Sequence, residues 1–164
     1  MQVHNLHERE FAAPAVAVGA LIDTLASSND RLWPIGKWPP MRFDRPLAVG
    51  AAGGHGPVGY TVVEYLPGQS IRFRFTAPRG FNGTHRFEVE ERQQSTVLRH
   101  IIEMRATGPA LLSWPLAIRS LHNAAIEDCF DRATISLGID LPHPARWSIY
   151  VRLLRAVMRI VQFH

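Results

Sequence analysis

The sequence predicts an α+β fold: an antiparallel sheet, a long helix after it, and an additional amphipathic helix at the C-terminus. Three observations carry this. Across residues 58–106, four runs of alternating apolar and polar residues are separated by short turn segments, the pattern of strands joined in hairpins. Across residues 114–133, apolar residues recur at helical spacing instead. Beyond Pro142 and Pro144, the tail carries arginines at helical spacing among many apolar residues.

Along the chain, residues 2–11 read as a strand of imperfect alternation. Pro14 suits a first helical turn, and Val16, Leu21, Ile22 and Leu25 give a short amphipathic helix closed by Asn29 and Asp30. Pro34, Pro39 and Pro40 forbid regular helix next, so residues 32–46 read as an ordered loop packed by Trp33, Trp38, Met41 and Phe43. The run GAAGGHGP at 50–57 lacks the lysine and Ser/Thr of a phosphate loop and reads as a wide turn, with His55 a candidate gate.

Strands are expected at 58–66, 70–76, 84–92 and 96–106. Charges test the register. Phe87 opposite His100 places Glu88 opposite Arg99, and Phe73 opposite Phe87 places Arg72 opposite Glu88 as well, a cross-strand ladder on the outer face. In the long helix, Ile118, Leu121, Ala125, Ile126, Cys129 and Ala133 form one stripe with His122 near its centre. Ser120, Asn123, Glu127 and Asp131 fall opposite, and Gly138 and Pro142 end the helix.

At 164 residues, 46% hydrophobic and 20% charged, the chain fits one soluble domain. Residues 1–138 form the expected domain and 139–164 a helical extension. No secretory signal or membrane span is visible and Cys129 is the sole cysteine, so a cytoplasmic location is expected. The net charge of +4 is almost all arginine, with Lys37 the single lysine. No helix-turn-helix, zinc-finger or aromatic RNA-binding pattern accompanies it, and nucleic acid is not an expected partner.

The stretches LWPIGKWPPMRFDRPL, GGHGPVGYTVVEYLPGQSIRFRF, GTHRFEVEE and LHNAAIEDCFDRA resemble a bacterial branch of the START-like superfamily, also called SRPBCC. Its relatives include polyketide cyclases and dehydratases, lipid-transfer domains and plant pathogenesis-related allergens. The resemblance spans about residues 2–137 and implies a helix-grip fold, in which a curved antiparallel sheet wraps the long helix around a cavity. It transfers no catalytic motif.

With that fold, Tyr60, Phe73, Phe75, His85, Phe87, His100 and Ile102 from the sheet, and Ile118, His122 and Ile126 from the helix, are the expected ligand-binding wall. Tyr60 joins only if the Pro67-Gly68 turn is tight. An apolar wall with sparse polar groups suits a hydrophobic small molecule such as a lipid, isoprenoid or polyketide. The first alternative is a cyclase- or dehydratase-type enzyme with His122 as its first general acid/base candidate, although no carboxylate shares its face. His85, His100 and His122 do not have the spacing of a local metal motif, and neither metal nor cofactor is expected. Cys129 reads as an inert buried thiol.

In the tail, Arg152, Arg155 and Arg159 share a stripe, and Trp147, Tyr150, Leu153, Leu154, Val157, Met158, Ile160, Val161 and Phe163 cover most of the rest. So apolar a helix needs cover from the domain, a homodimer partner or a membrane surface. An interaction or membrane-surface module acting through this helix is the second alternative.

Overall fold

The computed structural model describes residues 1–162, with side chains through Met158; the expected places of Arg159, Ile160, Val161 and Phe163 lie outside what is described. Strand β1 (Gln2–Phe11) leads into helix α1 (Ala15–Asp23), followed by β2 (Arg42–Phe43), β3 (Ala52–His55), β4 (Val58–Leu66), β5 (Ser70–Ala77), β6 (Phe81–Glu91) and β7 (Thr96–Ala106). Helix α2 (Ala110–Ser113), a π-helical turn (Trp114–Ile118) and α3 (Arg119–Ser136) run on from one another, and α4 (Ile149–Gln162) follows. The strands make one antiparallel sheet in the order β1-β7-β6-β5-β4-β3-β2, with α3 against its inner face.

α1 is shorter than its apolar spacing implies. It stops at Asp23 because the Asp30 carboxylate gathers the following turn, accepting the backbone N–H groups of Ala26 (2.8 Å), Leu32 (2.9 Å) and Trp33 (2.7 Å). Val18 faces the core, while Val16, expected in the buried stripe, is exposed. Residues 50–57 are not a wide turn: β3 pairs with β4 and with β2. A Cβ on Gly53 would collide with the Arg42 backbone, so the strand needs glycine there and shows no alternation to read.

The β6–β7 register is as expected, with Phe87 opposite His100 and Glu88 opposite Arg99. The β5–β6 register differs by two residues: Phe73 lies opposite His85, and Arg72 opposite Arg86 rather than Glu88. A two-residue slip keeps every side chain on its face, so alternation cannot detect it. Arg72 instead pairs with Glu64 at 2.8 Å, and Arg86 holds Glu88 (2.7 Å) and Glu103 (2.6 Å). Arg99 takes Glu8 at 2.9 Å and also Glu90, not its direct neighbour Glu88.

Two apolar clusters fill the inside. One gathers Phe11, Leu21, Ile22, Trp33, Phe73 and Phe130 with their neighbours; the other gathers Val3, Phe81, Met104 and Trp114. α3 ends where Gly138 adopts φ 71° and Ile139 returns its N–H to the Thr134 carbonyl. Its polar side packs toward β1, with Asp131 buried and the Glu127 side chain 41% exposed. Asn123, Glu127 and Asp131 face β1, where Asn5 Nδ2 donates to Asn123 Oδ1 (3.3 Å) and Arg9 binds Asp131 (2.7 Å) and Glu127 (3.0 Å). Four residues of helix advance about 6 Å and two of strand about 6.6 Å, so polar groups at those two spacings stay in step.

α4 docks on the domain. The buried Asp128 carboxylate accepts from Lys37 Nζ (2.7 Å), Trp38 Nε1 (2.7 Å) and Trp147 Nε1 (2.8 Å), and Asp131 accepts the Ala145 N–H (2.7 Å). The Arg155 guanidinium lies over the rings of Trp38 (4.2 Å) and Trp147 (4.0 Å). Among the described residues no helix is long and apolar enough to cross a membrane.

Candidate ligand-binding site

Alternation in the sheet and the spacing of α3 bring all ten expected wall residues to the interior. Tyr60, Phe73, Phe87 and Ile126 belong to the first apolar cluster; Ile102 lies in the second, with Phe75 and Ile118 packed against it. Tyr60 is fully buried because the Pro67-Gly68 turn pairs Leu66 with Ser70, and a bulge then sets Tyr60 opposite Phe75. The three histidines fall on the seam. His85 stacks between Phe73 and Phe75, at 4.8 Å from each, while His100 meets Phe87 at 4.6 Å and His122 meets Trp114 at 6.1 Å.

The imidazoles touch one another. His85 Nδ1 lies 3.3 Å from His100 Nε2, and the His100 and His122 ring centres are 4.9 Å apart. Tyr60 connects His85 (4.7 Å) to His55 (5.8 Å), which leans on Trp33 at 4.5 Å. His55 therefore ends a row of rings, packed between Trp33 and Tyr60. At the other end, His7 lies 5.8 Å from His122.

Protonation divides the row. Burial lowers the pKa of His55 to about 4 and of His122 to about 3, and pushes His85 and His100 well below the ordinary range. His7 goes up, because its Nδ1 bonds Glu127 at 3.1 Å and its Nε2 meets Asn123 Oδ1 at 3.0 Å, two acceptors that favour the imidazolium. Glu127 thus serves His7, and His122 has no carboxylate. Burial also raises the Cys129 thiol well above its usual range, which leaves it a poor nucleophile.

Several polar atoms in this wall are buried without a hydrogen-bond partner: Tyr60 Oη, His85 Nε2, His100 Nδ1 and both nitrogens of His122. Whichever tautomer His122 adopts, it holds one unspent donor and one unspent acceptor. Beside Trp114 a groove of about 210 Å³ opens between the start of β1 and the π-helical turn, lined by Met1, Val3, Asn5, Pro115 and Arg119 among others. Among the described residues no three His, Cys, Asp or Glu side chains are placed to hold a metal ion.

His7, Asn123 and Glu127 adjoin this cluster and are absent from the expected wall. A signal existed for them: Asn5, His7 and Arg9 alternate on the inner face of β1, and Asn123, Glu127 and Asp131 recur every fourth residue on α3. Only the pairing of the two elements turns those intervals into contacts.

A curved antiparallel sheet gripping one long helix, with an aromatic and imidazole interior between them, defines the helix-grip class of fold. Solved structures of the same shape include Thalictrum flavum norcoclaurine synthase, as a point mutant in complex with a transition-state analogue. It is 16% identical with a TM-score of 0.61, over 84% of this chain and 97% of that one. CalU16 from Micromonospora echinospora is 12% identical with a TM-score of 0.59, over 97% and 86%. The di-domain ARO/CYC StfQ of the steffimycin biosynthetic pathway is 11% identical with a TM-score of 0.63, and this chain spans about half of it, 51%. No family model and no curated protein matches the amino-acid sequence.

Proposed function

We propose that this protein binds a hydrophobic small molecule, a lipid, isoprenoid or polyketide-like compound bearing oxygen substituents, between α3 and the inner sheet face. The observation that carries the reading is the set of unpartnered polar atoms on His85, His100, His122 and Tyr60 inside an aromatic wall. Leaving such groups buried and unpaired costs about 1–3 kcal/mol each, a cost that ligand oxygens would remove. Aromatic faces supply affinity and neutral imidazoles supply orientation. The groove beside Trp114 is smaller than the usual range of about 300–1,000 Å³ for ligand pockets.

The neighbours fit the same reading, since one of them is a synthase holding a transition-state analogue and another a biosynthetic ARO/CYC. We infer on this reading that the chain is a START-like protein, with residues 1–138 as the helix-grip unit and 139–164 as an appended helix. Cyclase- or dehydratase-type catalysis is the second reading, favoured by one observation: both unspent nitrogens of His122 lie beside the His7–Glu127 pair. Turnover of an added substrate, lost in His122→Ala at unchanged stability, separates catalysis from carriage.

The test compares native with denatured mass of the purified chain, then titrates it with the apolar fluorophore N-phenyl-1-naphthylamine. A retained organic mass, or saturable fluorophore binding that His122→Leu weakens, supports the pocket. A bare protein that also leaves the fluorophore unbound overturns it.

A further inference from the structure

We propose that the outer face of α4 is a docking surface for an anionic lipid bilayer. The helix is held from beneath by Val151, which is buried, and through Trp147 and Arg155, whose contacts with Asp128 and Trp38 fix which side remains open. On the open side Ile149, Leu153 and Val157, four residues apart, are 75%, 60% and 58% exposed. More than half of each side chain therefore meets solvent even with the helix docked. Tyr150, whose hydroxyl donates to the Leu116 carbonyl, joins this stripe to the exposed Leu116 beside the Trp114 groove.

Charge identifies the occupant. Residues 141–164 contain four arginines, 146, 152, 155 and 159, and no aspartate or glutamate. The exposed Arg152 lies next to the apolar stripe, one step around the helix from Ile149 and Leu153. An apolar stripe bordered by guanidinium suits a helix lying in the plane of a bilayer, its apolar side among the acyl chains and its cation at the phosphates. A second copy is a poorer match, because it would set one protomer's arginines beside the other's with no carboxylate on either helix. Among the described residues no helix is long and apolar enough to cross the bilayer, so the proposed contact is peripheral.

The inference does not depend on the pocket, and its test reads none of the pocket residues. The full chain is floated with vesicles of phosphatidylcholine plus phosphatidylglycerol, and with phosphatidylcholine alone. Flotation is expected with the anionic vesicles only, and weakens as salt is raised. Arg152→Glu reverses one charge and lowers partitioning about 25-fold, at about fivefold per unit charge near an anionic surface. Ile149→Glu with Leu153→Glu abolishes flotation while the melting profile is retained, since both sites are exposed. Absence of flotation on anionic vesicles at low salt, or flotation indifferent to these substitutions, overturns the proposal. So does a dimer by mass that the double variant dissolves without any vesicle binding, which assigns the face to a second copy.

Discussion

Lowering the pH from about 7 to about 5 removes a large share of this protein's stability, and the buried histidines set how much. An unfolded histidine takes a proton near the ordinary value of 6.5, whereas His122 does so only near about 3 and His55 near about 4. Between those limits the unfolded chain binds more protons than the folded one, so stability falls as pH falls. The slope is about 1.4 kcal/mol per pH unit for each histidine fully in that window. From about pH 7 to about pH 5 each loses about 2 kcal/mol, hence about 4 kcal/mol for the pair. His85 and His100, also held neutral by burial, act in the same direction.

His7 has the opposite sign. Its folded pKa is raised, so its contribution is complete below about 6.5 and lost only as pH rises through the folded value. Between about pH 7 and about 6.5 it offsets a small part of the loss, and below that it adds nothing further. Glu127, with its pKa lowered by His7, gives stability that is lost only around and below its ordinary 4.5, outside the window. The loss of about 4 kcal/mol is then a large part of the 5–15 kcal/mol typical of a domain. Urea unfolding followed by far-ultraviolet circular dichroism, at fixed ionic strength and several pH values, measures it. His122→Leu should reduce the loss by about 2 kcal/mol. A change below about 1 kcal/mol between the two pH values would refute the neutral, buried state of these rings.

Three further perturbations follow from single contacts. Asp128→Ala leaves Lys37 Nζ and the Trp38 and Trp147 indoles without their shared acceptor; with Lys37 half exposed, the two unpaired indoles set a cost of about 2–4 kcal/mol, and residues 139–148 open to proteolysis, read by denaturant midpoint and limited digestion. Tyr60→Phe removes a buried hydroxyl with no partner and raises stability by about 1 kcal/mol, seen as a higher melting temperature; a lower one would mean the hydroxyl is satisfied in solution. Gly19→Ala drives a methyl into the Gly68 carbonyl where α1 crosses the β4–β5 turn, and costs about 1–3 kcal/mol by urea unfolding.

The sequence was most legible where a period speaks for itself. β1 and β7 coincide with their alternating runs, and the β6–β7 hairpin sets Phe87 opposite His100 and Glu88 opposite Arg99 as expected. Legibility fails where the period is degenerate or absent. The β5–β6 register slips by two residues because that leaves alternation intact, and β3 hides in glycines with no side chain to alternate. The ten residues expected in the wall could be turned inward because sheet alternation and helix spacing each act locally. The polar seam between β1 and α3 could not, since Asn123, Glu127 and Asp131 look like a solvated face until a strand with polar inner residues is set against them.

That seam bears on how the interior works. β1 and α3 spend hydrogen bonds on one another along Asn5, His7 and Arg9, so the helix is located by polar pairs as well as by apolar packing. One layer further in, His122, His100, His85 and Tyr60 keep unspent donors and acceptors. A chain selected for stability alone would replace them with apolar side chains of similar volume, at little cost or at a gain. Substitutions that satisfy this interior should therefore stabilise the protein while weakening whatever it holds. Tyr60→Phe and His122→Leu, measured for both melting temperature and fluorophore affinity, separate the two possibilities: opposite movement marks a binding wall, whereas higher stability with unchanged affinity marks unpaired groups with no role.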